Sequence, residues 1–87
     1  MAQEPLNQRA LSMLKAVRDG RGQVTISREP DLYVDGMSCC DQPTAHLLSR
    51  SALIAPARSG RIGERVPAVV TERGLTALAE PGLPIAS

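Results

Sequence analysis

Two sets of side chains in this chain are of types that do chemistry. The first is Cys39-Cys40-Asp41, with His46 a little further on. Thiolates, imidazole and carboxylate are all zinc ligands, but a zinc site takes four of them, usually in paired spacings. Two adjacent cysteines and one histidine fall short of that, so no metal and no cofactor is expected. A helix N-terminus just after the pair would lower a nearby thiol pKa, which makes Cys40 the more reactive candidate. The same residue types would also suit a soft-metal or redox sensor, against the plainer reading of idle thiols ahead of a helix. Catalysis has little support: there is one histidine, no paired acids share a face, and no glycine-rich phosphate loop follows a strand. No catalytic residue is assigned.

The second set is Arg58, Arg61 and Arg65, spaced around Gly60 and Gly63. Guanidinium groups pair with phosphate in a fixed fork and enter narrow minor grooves, where negative potential is enhanced. The chain as a whole carries a net charge of only +1, so there is no global basic field. The charge is unevenly placed, however. From Arg28 to Asp41 a single arginine stands against Glu29, Asp31, Asp35 and Asp41. From Arg50 to Arg73 five arginines stand against Glu64 and Glu72. A GC-rich coding sequence yields the same arginine excess, so composition alone does not select a nucleic-acid partner. Tyr33 is the only aromatic residue, which argues against single-strand recognition by base stacking.

The elements that must position these groups follow from periodicity. Eighty-seven residues make one small domain, marginal in stability, that a partner or second copy would help. Leu6–Asp19 is expected to be a helix, with Ala10, Leu14 and Val17 on one stripe and Gly20 or Gly22 ending it. Gln23–Ser27 alternates and predicts a strand, Leu32–Val34 a second one paired back on it, and Asp35-Gly36 a tight turn. Met37–Asp41 is expected to be a connector. Asp41 is a good N-cap for a helix over Thr44–Ser51, with Pro43 in its first turn. Ala45, Leu48 and Ala52 form that helix's apolar stripe, leaving Thr44, His46, Ser49 and Arg50 on its polar face. Leu53–Ala55 and Val66–Val70 should pair as a hairpin with an arginine-rich tip. Pro56 and Pro67 lack donors, which restricts them to strand ends or edges. A wing sheet of two or three strands is therefore expected, not a wide one, with Gly60 and Gly63 supplying positive φ. Thr71 caps a last helix, with Leu75 and Leu78 facing the core and Gly74 implying a close approach. The expected fold class is α+β, a small winged helix-like domain in the order helix–hairpin–helix–β-wing–helix. It spans 6–79, with flexible tails at 1–5 and 80–87.

Leu53-Ile54, the Arg/Gly turn, and Val69-Val70-Thr71-Glu72-Arg73-Gly74-Leu75-Thr76-Ala77-Leu78 resemble the winged-helix transcriptional regulators of bacteria. Among these, the multiple-antibiotic-resistance and phenolic-acid-decarboxylase regulator families are nearest in pattern. The resemblance covers about half the chain. It implies binding of double-stranded DNA, with Thr44, His46, Ser49 and Arg50 on the recognition helix and Arg58, Arg61 and Arg65 on the wing. The pattern departs where many winged helices carry a second helix, because period two and Pro30 occupy that stretch. The expected function is thus a cytoplasmic DNA-binding regulator acting as a homodimer. Its rival is a protein–protein adaptor of the same fold, such as a phage or mobile element would encode. No signal peptide and no apolar run of membrane-spanning length is visible, so no membrane partner is expected.

Overall fold

The structure, a computed structural model, describes residues 7–79. The expected tails and Leu6 lie outside the described residues. Asn7 opens the first helix, α1 (Gln8–Arg18), and its side-chain oxygen accepts from the Ala10 amide at 2.8 Å. The helix ends at Asp19, and Gly20 supplies the left-handed residue with φ +82°. Its buried stripe is Ala10, Met13, Leu14, Ala16 and Val17, a helical period read correctly from the sequence.

Five strands follow: β1 (Gly22–Thr25), β2 (Leu32–Val34), β3 (Met37–Ser38), β4 (Ile54–Pro56) and β5 (Arg65–Val70). They form one antiparallel sheet in the order β3-β2-β1-β5-β4. The expectation of a narrow wing sheet is therefore corrected. The wing hairpin β4–β5 does not stand alone, because β1 pairs with β5 through Gln23↔Pro67, Val24↔Val66 and Thr25↔Arg65. Met37–Asp41 is not wholly a connector either. Asp35 and Gly36 both have positive φ, 54° and 81°, and join Val34 to Met37. That is the geometry of a type I′ turn, whose twist suits a tight hairpin, and it makes Met37-Ser38 a strand.

Pro67 lies inside β5, between two neighbouring strands, where the sequence restricted it to an edge. The Pro67 carbonyl accepts from the Ala57 amide at 2.8 Å. In an antiparallel pair a residue's N–H and C=O address the same neighbour. The missing donor of Pro67 therefore faces the position just past Pro56, where β4 has already ended, and no bond within the β1 ladder is lost.

The second helix, α2, is Gln42–Arg50, and the third, α3, is Glu72–Ala79. Inward side chains of the sheet, Val24, Leu32, Val66 and Ala68, join Leu14 of α1, Leu48 of α2 and Leu53 in one core. Each large aliphatic side chain so buried contributes about 1.5–3 kcal/mol. By alternation and register, Gln23, Tyr33, Arg65, Pro67 and Val69 occupy the sheet's other face. An antiparallel sheet tolerates one solvated face in this way.

The third helix is capped by Thr71, whose Oγ1 accepts from the Gly74 amide at 3.1 Å and donates to the Ala52 carbonyl at 2.6 Å. Gly74 is where the close approach occurs: a Cβ there would run into the Leu53 carbonyl oxygen. Leu78 packs against the core, as expected. Leu75 does not; it is 50% exposed, because the helix is seated on Gly74, which turns Leu75 outward. No helix among the described residues is long and apolar enough to cross a membrane.

Candidate nucleic-acid interface

The second helix is built from its N-terminus. Asp41 caps it: one carboxylate oxygen accepts from the Thr44 amide at 3.2 Å, and the other accepts from the Thr44 hydroxyl at 2.5 Å and from Arg9 at 3.0 Å. These bonds, with the Thr44 hydroxyl contributing most and the Arg9 donor next, hold the Asp41 carboxyl below the ordinary aspartate range. Helix residues begin at Gln42, two before the expected start, since Pro43 fits the first turn and needs no donor there.

Gln42 ties the helix to the sheet. Its Oε1 accepts from the Leu32 amide at 2.9 Å, while its Nε2 donates to the carbonyls of Leu32 and Cys39, each at 3.0 Å. Both backbone groups of the buried Leu32 are thereby addressed by one side chain. A glutamine next to a predicted cap carries no distinctive signal in the sequence, so only the fold reveals this role.

The outer face of α2 differs from the expected one. Ala45 and Leu48 are buried, which turns Pro43, Leu47 and Arg50 to the solvent. Thr44 and Ser49 lie on the flanks, both partly buried, and the Thr44 hydroxyl is taken by Asp41. Ala52 does not extend the apolar stripe. It lies past the helix with φ +59° and is exposed, because the chain turns there toward β4. His46 is engaged as well: its Nε2 is 3.0 Å from Asp31 and its Nδ1 3.5 Å from Glu29. Both acids come from the β1–β2 loop, so the acidic stretch noted in the sequence is folded against the helix.

The β4–β5 loop is an ordered tip. The Glu64 amide donates to the Arg61 carbonyl at 2.9 Å, with Gly63 at φ +88°, the pattern of a type II turn. The loop is fastened to the end of β1 by two bonds, Gly63 amide to Ile26 carbonyl and Ile26 amide to Glu64 carbonyl, each at 2.8 Å. Gly60 does not have the positive φ assigned to it. Its role is space, because a Cβ there would lie 2.8 Å from Glu64 Oε1. The Glu64 carboxylate accepts from the Arg61 amide and from Arg58, each at 2.9 Å. The Arg61 amide, then the Arg58 side chain, hold the Glu64 carboxyl below the ordinary glutamate range.

Three wing arginines are exposed, in three different situations. Arg58 pairs with Glu64, and Arg65 stacks on Tyr33 with its guanidinium carbon 4.0 Å from the ring centroid. The side chain of Arg61 has no partner among the described residues, and neither has that of Arg50. Ile62, beside Arg61, is 86% exposed.

Cys39 and Cys40 line an open groove with Arg9, Met13, Asp41 and Pro43. Burial, then the neighbouring Cys40 and Asp41, push the Cys39 thiol up. His46 faces Asp31 and Glu29 instead of the cysteines, and no group of three or more potential metal ligands is assembled among the described residues. No protein-family model, curated protein or solved structure matches the chain.

Proposed function

We propose that this chain is a DNA-binding regulator of winged-helix type that contacts the phosphate backbone of duplex DNA mainly through its β4–β5 loop. The observation that carries this reading is the ordered tip, in which the exposed side chain of Arg61 pairs with no acid among the described residues, Glu64 accepting only from its backbone amide. Two further features support it. Helix α2 leads directly into the β4–β5 hairpin, which is the winged-helix layout, and the exposed Arg50 ends that helix. Arg65 adds a third cation on a strand. The proposed contact set is Arg61, Arg65 and Arg50, with Ser49 beside it. Thr44, His46 and Arg58 join that set only if Asp41, the Asp31–Glu29 pair and Glu64 release them. The homodimeric state belongs to the same proposal, since two copies would place two wings on one duplex.

The test is binding to random-sequence duplex DNA across a salt series. Each phosphate contact releases counterions and contributes about −0.9 to the slope of log affinity against log salt. Arg61→Ala should weaken binding and flatten the slope by about that amount. An unchanged affinity with an unchanged slope rules out the wing contact.

One observation favours the rival reading, an adaptor for a protein partner. Glu29 and Asp31 stand against α2, and their charge repels phosphate from the helix that would enter a groove. Lack of any duplex binding at low salt, with capture of a partner at the same salt, would select the adaptor.

A further inference from the structure

The wing contains an acid where a DNA-binding loop would be expected to carry none. We propose that Glu64 withholds Arg58 from DNA, so that the wing engages the duplex with one cation fewer than its sequence offers. This rests on the duplex-binding reading above and specifies how that site is limited.

The geometry is that of a filled anion seat. One oxygen of the Glu64 carboxylate lies 2.9 Å from the Arg61 amide and the other 2.9 Å from the Arg58 guanidinium. A backbone N–H and a guanidinium are also the donors that a phosphate oxygen selects. The seat is held from several directions. The Glu64 backbone is bonded to Arg61 within the turn and to Ile26, just past the end of β1. Arg58 is oriented by a further bond to the Ser59 carbonyl at 3.1 Å. Gly60 leaves the room in which the carboxylate lies.

Charge explains the consequence. A guanidinium already paired with a carboxylate gains less from a phosphate, because the carboxylate at contact distance offsets its charge and repels the second anion. The pair is half-exposed, with side chains at 55% and 36%, so it is a weak structural tie but an effective neutraliser at contact distance. Arg61 keeps its charge because Glu64 takes only its amide hydrogen. The loop therefore presents one active cation and one held cation.

Glu64→Gln tests this, since the amide keeps the shape and one acceptor for the Arg61 N–H while removing the charge. Duplex affinity should rise, and the salt slope should steepen by about 0.9, so the gain at 50 mM salt should exceed that at 200 mM about 3.5-fold. Arg58→Ala should change the binding of the otherwise native chain little, and should abolish the gain in the Glu64→Gln background. Thermal unfolding of each variant guards against a collapsed loop, and Glu64→Asp, which keeps the charge, should not show the steeper slope. If Arg61→Ala weakens binding but Glu64→Gln leaves the slope unchanged or lowers affinity, Glu64 serves the loop's shape and the inference fails alone. Equal losses from Arg58→Ala and Arg61→Ala in the native background would overturn it as well. Absence of duplex binding by every variant overturns the function and the inference together.

Discussion

The guanidinium of Arg65 lies 4.0 Å above the ring of Tyr33, although β1 separates their strands. The contact crosses the face of the sheet opposite the core, from the register of Gln23 to that of Thr25, and joins the base of the wing to the β2–β3 hairpin. It uses the only aromatic residue in the chain.

An exposed cation–π pair of this kind contributes about 0.5–1 kcal/mol. Tyr33→Leu should lower stability by roughly that amount. It should also move the Arg65 side-chain proton resonances downfield, because the ring current above them is lost. Unmoved resonances would show that the two side chains do not meet in solution.

Gly74 sets the docking of α3. Alanine there would gain about 1 kcal/mol of helix propensity, but its methyl would run into the Leu53 carbonyl oxygen and lie 2.5 Å from a Val70 methyl. Backbone on one side cannot yield as a long side chain would. Gly74→Ala should therefore destabilise by about 1–3 kcal/mol, seen as a lower midpoint in chemical denaturation. A higher midpoint would mean that propensity outweighs the clash and that the helix is not seated on Leu53.

Gln42 bonds both backbone groups of Leu32, whose side chain is fully buried. Removing the amide leaves part-buried donors and acceptors to find water in its place. Gln42→Ala should lower stability by about 1–3 kcal/mol. Amide hydrogen exchange should quicken at Leu32 before it does in the β1–β5 ladder. Uniform exchange changes would count against a local tie.

Asp41 predicts a pH dependence. Its folded pKa is lowered, by the Thr44 hydroxyl first and Arg9 next. A lowered carboxyl contributes stability that is fully present above its unfolded pKa and is lost as pH falls through the folded value. Asn caps a helix about as well as Asp but cannot hold the charge. Asp41→Asn should thus be less stable than the native chain at neutral pH, and the gap should close in acid, below the ordinary aspartate range. A gap that persists there would show that charge is not what Asp41 supplies.

Much of the fold is legible in the order of residues. Periodicity locates the first two helices and the strands around Val24 and Tyr33, because 3.6 and 2 are distinct periods; the apolar runs on either side of the glycine-arginine turn locate β4 and β5, and the Thr71 cap locates α3. Asn7, Asp41 and Thr71 cap as their chemistry allows, although only the last two stand out as caps from their neighbours in the chain. The short strand Met37-Ser38 escapes, since two residues have no period. Leu75 is misplaced by helical spacing, which cannot say which side of a helix a neighbouring strand will occupy.

The candidate site divides along the same line. Residue type and order in the chain determined by themselves that a glycine-punctuated, arginine-bearing turn joins two apolar runs just after a capped helix. Tertiary structure alone decided which of those cations have a partner. The acids that meet His46 come from a different hairpin, and Glu64 meets Arg58 only because the loop folds back on β1. Spacing along a chain specifies local conformation, but the pairing of charges depends on distances through space, which pairing between distant strands creates.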